Sequence, residues 1–205
     1  MEWTQYFFMR NALFAVLLVT PVFALLGTMV VNNRMAFFSD SLGHSAFTGI
    51  AIGVILGLRD PLISMIILAC LIAISFSLIK KFTGFSPDTI IGIFSATTIA
   101  LGVVILSHGG GFTKYSRYLI GDILSITSLE ITILGLVLLT VMLYWILFFN
   151  NLFLTSINPV LAKSRGVRVL MTETVFVILI AVVVTVSIQW VGILVINALL
   201  ILPAA

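Results

Sequence analysis

Asp40 and His44 are the residues whose types and spacing most clearly invite chemistry. They sit in the stretch Ser39-Asp40-Ser41-Leu42-Gly43-His44-Ser45. Four residues apart on a helix, their side chains stack on one face. A carboxylate beside an imidazole suits a divalent first-row metal ion. Two protein ligands do not close a coordination shell, so the rest must come from elsewhere in the fold or from water. That arrangement suits a site that must release its ion. From spacing alone a plainer reading comes slightly ahead: Ser39 or Asp40 caps a helix N-terminus, and His44 is a satisfied buried histidine.

A second group lies between residues 157 and 168, in Ile-Asn-Pro-Val-Leu-Ala-Lys-Ser-Arg-Gly-Val-Arg. Asn158 is a good N-cap, Pro159 a good first helical residue and Gly166 a good C-terminal stop. The spacing predicts a helix of about two turns, too short to be stable alone. It is either a basic surface loop held by its surroundings or a docking helix for a cytoplasmic partner. Asp122, in Tyr-Leu-Ile-Gly-Asp-Ile-Leu-Ser (118–125), either lines a pathway or caps the next segment, and the cap is the simpler reading. Glu130 and Glu173 start apolar stretches and read as interfacial. His108 falls in a glycine-rich loop and reads as solvated. Cys70 is the single cysteine, which excludes an intrachain disulfide and a thiolate cluster. The chain contains no G-x-x-x-x-G-K-[ST] phosphate loop, no H-E-x-x-H zinc motif and no TVGYG filter.

The elements that must position these groups follow from composition. The chain is 61% hydrophobic and 8% charged, whereas a soluble domain is about a quarter charged. So few charges cannot cover a water-facing surface of this length. A lipid-facing surface removes the conflict. The net charge of +3 is too mild for nucleic-acid binding and fits the cytoplasmic bias of membrane proteins. Six charge-free stretches approach the length of a membrane-spanning helix: 11–31, 41–58, 61–79, 89–107, 131–149 and 174–205. The last is too long for one span, and Gly192 and Pro203 predict that it breaks, with a helix ending near Val191. The first is too long for a cleavable signal and lacks its cleavage site. Arg59-Asp60-Pro61 reads as a tight polar turn, residues 80–88 as a short loop ending in a helix start, and residues 107–111 as a stop. Ser41, Ser45, Gly49, Gly53 and Gly57 repeat every fourth position and predict close helix packing. With Lys80 and Lys81 in the cytoplasm, parity puts the 32–38 and 150–170 loops there too. Six Lys and Arg residues then lie inside against four outside. The expected architecture is all-α: one polytopic transmembrane bundle over 1–205 with six to seven spans or part-spans.

Taken together, four stretches resemble the permease subunits of the zinc, manganese and iron uptake family of ATP-binding-cassette transporters. They are MAFFSDSLGHSAFTGIAIG (35–53), YLIGDILS (118–125), INPVLAKSRGV (157–167) and VGILVINALLILPAA (191–205). The resemblance implies a multi-pass protein of the bacterial inner membrane that is not itself an enzyme and holds no permanent cofactor. It implies Asp40 and His44 on the path of a transported zinc, manganese or iron ion, with Asp122 a lesser candidate. It implies that a cytoplasmic ATP-binding subunit docks on the 157–168 helix through Asn158, Pro159, Leu161, Ala162, Arg165 and Gly166. A second permease chain completes the pathway, and an extracytoplasmic metal-binding protein delivers the ion. Family members continue past Pro-Ala-Ala, so the chain reads as C-terminally truncated. Two other readings compete: an ion-coupled secondary transporter with Asp40 as relay, and an intramembrane aspartyl protease, for which the Leu119–Asp122 sequence lacks the first glycine of Gly-x-Gly-Asp.

Overall fold

The computed structural model describes residues 6–58, 60–109, 117–202 and 204. Arg59, Lys114 and Pro203, which entered the loop, charge and breakpoint readings, lie outside the described residues, as does the side chain of His108. The chain forms nine α-helices among the described residues: α1 (Phe7–Asn32), α2 (Phe38–Ile55), α3 (Leu62–Thr83), α4 (Pro87–Gly109), α5 (Arg117–Ile120), α6 (Ser128–Ile157), α7 (Pro159–Ser164), α8 (Val169–Val191) and α9 (Ile193–Ile201). A 3₁₀ turn, Ile123–Ser125, leads into α6. Five of these helices (α1, α3, α4, α6 and α8) are long and apolar enough to cross a membrane. The protein is therefore a multi-pass helical membrane protein.

α2 has 18 residues and carries Ser39, Asp40, Gly43 and His44. It packs against α3, α4, α8 and α9, which screen this polar helix from lipid. Its small residues permit the approach. A Cβ on Gly49 would lie 2.7 Å from the Met65 Cα of α3, and one on Gly53 would lie 2.5 Å from Ser64 Oγ. Ser64 Oγ donates to the Gly49 carbonyl at 2.7 Å. On an adjoining face Thr48 Oγ1 donates to the Thr98 carbonyl of α4. Interhelical bonds of this kind average about 0.6 kcal/mol in membranes. The four-residue stripe ends before Gly57, which lies past the helix with φ +68°.

The element ends sort into two layers. At one end Lys80 Nζ lies 3.1 Å from both carboxylate oxygens of Glu173. Asn33, Met35, Leu152 and Thr155 surround this pair, so the α1–α2, α3, α6 and α8 termini meet there. These are the segments that parity assigns to the cytoplasm. At the other end Asp60, Asp122, Glu130 and Gln189 line a common cavity. Glu173 is thus an ion-pair partner at this end of the bundle. Glu130 is a capping residue: its carboxylate accepts from Thr127 N at 2.7 Å, and Thr127 Oγ1 accepts from Glu130 N.

Two helices run further than the charge-free stretches suggest. α3 continues through Lys80 and Lys81 to Thr83, where Gly84 (φ +66°) ends it. Cationic residues are favoured in a last turn. α6 continues through Asn150 and Asn151 to Ile157, because Leu152 and Thr155 are buried in that extra length. The 150–170 loop therefore reduces to the segment around α7.

Candidate functional site

α2 is buried on almost every side. Between Phe38 and Gly53 the half-buried residues are Asp40, His44, Phe47 and Ile52. Asp40, His44 and Phe47 follow at i, i+4 and i+7, so they form one stripe on an otherwise enclosed helix. His44 Nε2 lies 3.3 Å from Asp40 Oδ2, and the two side chains keep 33% and 45% of their exposure respectively. The N-cap of α2 is Phe37, with no side-chain capping bond. Neither Ser39 nor Asp40 caps the helix, and His44 is not enclosed. Asp40 still lies in the first turn of α2, where a carboxylate is favoured without a capping bond.

A third residue joins them. Asn197 Nδ2 donates to Asp40 Oδ1 at 2.7 Å, across 157 residues of sequence. Each carboxylate oxygen of Asp40 thus has its own partner. Asn197 belongs to α9, whose sequence Ile-Leu-Val-Ile-Asn-Ala-Leu-Leu-Ile holds no other polar side chain. That isolation is the signal by which sequence reading could have found it. An amide in so apolar a helix is costly unless it meets a partner.

Two glycines set where α9 runs. Gly192 separates α8 from α9 at φ +82° and ψ 152°, a conformation open essentially to glycine alone. It crosses the chain at Gly121, whose φ is +76°. A Cβ on Gly192 would lie 2.6 Å from Gly121 N, and one on Gly121 would lie 2.6 Å from Trp190 O. Backbone meets backbone here with no room for a side chain. The break predicted at Gly192 is therefore also a packing contact. Gly43 serves α9 from the other side: a Cβ there would lie 2.6 Å from Ile193 Cγ2.

Asp122 is not brought to this group. Its Oδ1 accepts from Ser125 N at 3.3 Å and caps the 3₁₀ turn. It shares a cavity of about 350 Å³ with Asp60, Glu130, Gln189 and Trp190, and neither Asp40 nor His44 lines that cavity.

The 157–168 segment forms α7, Pro159–Ser164. Asn158 Oδ1 accepts from Val160 N at 3.0 Å and from Leu161 N at 3.1 Å, Pro159 opens the helix, and Gly166 follows the C-cap at φ +80°. Ala162 is 0% exposed and anchors the helix to the bundle, while Val160 and Leu161 are 77% and 43% exposed. Ala162 therefore does not present its side chain outward. Val160, which the sequence reading did not single out, does.

Comparison with known proteins places this geometry. The chain is 34% identical over 199 residues to a high-affinity zinc uptake system membrane protein of Haemophilus influenzae, ZnuB, covering 95% of this chain and 74% of that protein. It is 33% identical over 201 residues to the manganese import system permease ScaB of Streptococcus parasanguinis, covering 98% and 71%. The structure of PsaBC from Streptococcus pneumoniae in complex with a Fab superposes with a TM-score of 0.79 at 30% identity, covering 98% of this chain and 72% of that one. The model of the ABC 3 transport family matches residues 5–205. The chain is a permease that belongs to the ABC 3 transport family.

Proposed function

We propose that this permease conducts a divalent transition metal ion, zinc or manganese, across the bacterial inner membrane, and that Asp40 and His44 touch the ion as it passes. One observation carries the reading. A carboxylate and an imidazole 3.3 Å apart form the half-open stripe of a helix that is otherwise enclosed. A cation seated between Oδ2 and Nε2 would use the 3.3 Å approach of the two side chains. The ion then meets one hard oxygen and one borderline nitrogen, with no thiolate to hold it. Such a site recognises the ion and still lets it go. Asp40 and His44 keep part of their exposure within this chain, which leaves a second permease chain to complete the conduit. The zinc and manganese systems named among the relatives support those two ions as the cargo.

Energy comes from a separate ATP-binding subunit docked on α7. The exposed Val160 and Leu161, held by the Asn158 cap and backed by buried Ala162, offer it an apolar contact. Arg165 and Gly166 end the helix beside them. An extracytoplasmic metal-binding protein delivers the ion at the opposite end, where the cavity holding Asp122 lies.

The test is uptake of radiolabelled Zn²⁺ and Mn²⁺ by cells carrying the complete importer. Asp40→Ala and His44→Ala should each abolish uptake while the chain remains in the membrane. Parental uptake by both variants removes the pair from the pathway.

A further inference from the structure

Asn197 holds Asp40 with one end of its amide, and its other end is unused. Nδ2 donates to Asp40 Oδ1 at 2.7 Å. Oδ1 is buried and has no hydrogen-bond partner among the described residues. A buried amide oxygen left unpaired costs about 1–3 kcal/mol. An apolar side chain would avoid that cost but would leave Asp40 Oδ1 without its donor, so the amide is placed here for Asp40 rather than to anchor α9. The amide also sits where its two ends have opposite uses. Its N–H₂ satisfies a carboxylate in the absence of an ion. A half-turn about χ2 exchanges N for O and presents a carbonyl oxygen to the same point.

We infer that Asn197 is a specificity-determining residue of the ion pathway: its amide nitrogen holds Asp40 ready, and its amide oxygen turns to the cation that arrives at Asp40 and His44. The inference rests on the reading that those two residues touch the ion. The partner chemistry is a hard divalent cation that accepts a neutral oxygen donor. Manganese takes carboxylate, carbonyl and water oxygens in six-coordinate shells, whereas zinc is satisfied with four ligands and favours nitrogen and sulfur. A third, oxygen ligand from Asn197 therefore favours Mn²⁺ more than Zn²⁺.

Equilibrium dialysis of the purified full chain against radiolabelled Mn²⁺, and separately Zn²⁺, tests this. Asn197→Leu keeps the volume of the side chain and removes both polar ends. Its Kd for Mn²⁺ should rise by about tenfold, at the lower end of the loss seen when a ligand's support is removed, and its Kd for Zn²⁺ by clearly less. Asn197→Asp keeps an oxygen at the same place and loses the donor, so the parental ratio of the two Kd values should persist. Equal losses for both ions in Asn197→Leu, or no loss, overturn the inference, because an anchoring role has no reason to discriminate between ions. A ratio changed to the same extent in Asn197→Asp also overturns it. Asp40→Ala and His44→Ala are run beside them. If these bind both ions like the parent, the pathway reading itself has failed. If they lose binding while Asn197→Leu keeps the parental ratio, the fault lies with Asn197 alone.

Discussion

Gly192→Ala is the substitution whose cost can be worked most directly from the structure. Gly192 holds φ +82° and ψ 152°, a region where an L side chain costs about 1–3 kcal/mol. The new Cβ would also press on the backbone of the crossing strand of chain, 2.6 Å from Gly121 N. Backbone cannot rotate aside as a side chain can, so overpacking adds about 1–3 kcal/mol. The sum, about 2–6 kcal/mol, is a large part of the roughly 5–15 kcal/mol that stabilises a folded domain. For a chain of this size the melting temperature should fall by about 4 °C or more. Relief of the overlap would displace α9, and with it the Asn197 amide that holds Asp40, so metal uptake should fall too. Gly135→Ala is the matched control. Gly135 lies inside α6 with nothing within 4 Å of a Cβ position, and alanine there should stabilise the helix by about 0.5–1 kcal/mol. The assay is thermal unfolding of the detergent-purified chain, with uptake measured in cells. If Gly192→Ala melts at the parental temperature and transports normally, the two-glycine crossing does not position α9 as argued.

Two further outcomes follow from the ends of the bundle. Lys80→Met or Glu173→Gln should each destabilise the chain by about 1–2 kcal/mol, between the worth of an exposed pair and the cost of breaking a buried one, and the exchange Lys80→Glu with Glu173→Lys should recover part of the loss. Thermal unfolding of these variants beside the parent reads both outcomes, and the pair is idle if the single variants melt like the parent. Asn158→Ala should remove the two capping bonds of α7 and cost about 1 kcal/mol locally. Amide exchange in residues 158–166 should quicken, and ATP hydrolysis by the subunit proposed to dock on α7 should lose its dependence on transport. Unchanged exchange would show that the bundle, not the cap, holds this helix.

The membrane bundle was readable from composition and from charge-free runs, because lipid as solvent permits few other solutions. α7 was readable almost residue by residue, since caps and stops act over three or four neighbours: Asn158, Pro159 and Gly166 each do locally what their chemistry predicts. The break at Gly192 was readable for the same reason. Helix ends were less so. Lys80, Lys81, Asn150 and Asn151 look like loop residues, yet burial of Leu152 and Thr155 carries α6 onward, and that burial depends on helices distant in sequence.

For the candidate site the sequence itself determined the pair Asp40 and His44, since helical periodicity puts residues four apart on one face whatever surrounds them. It also determined that α2 would be closely packed, because its small residues recur on that same period. Only the tertiary structure showed that Asp40 makes no capping bond and keeps an open side, placed Asp122 in a separate cavity away from Asp40 and His44, and brought Asn197 to Asp40. A hydrogen bond across 157 residues has no local signature. It exists because Gly192 turns α9 at a contact that Gly121 leaves room for, and such a contact belongs to the folded chain alone.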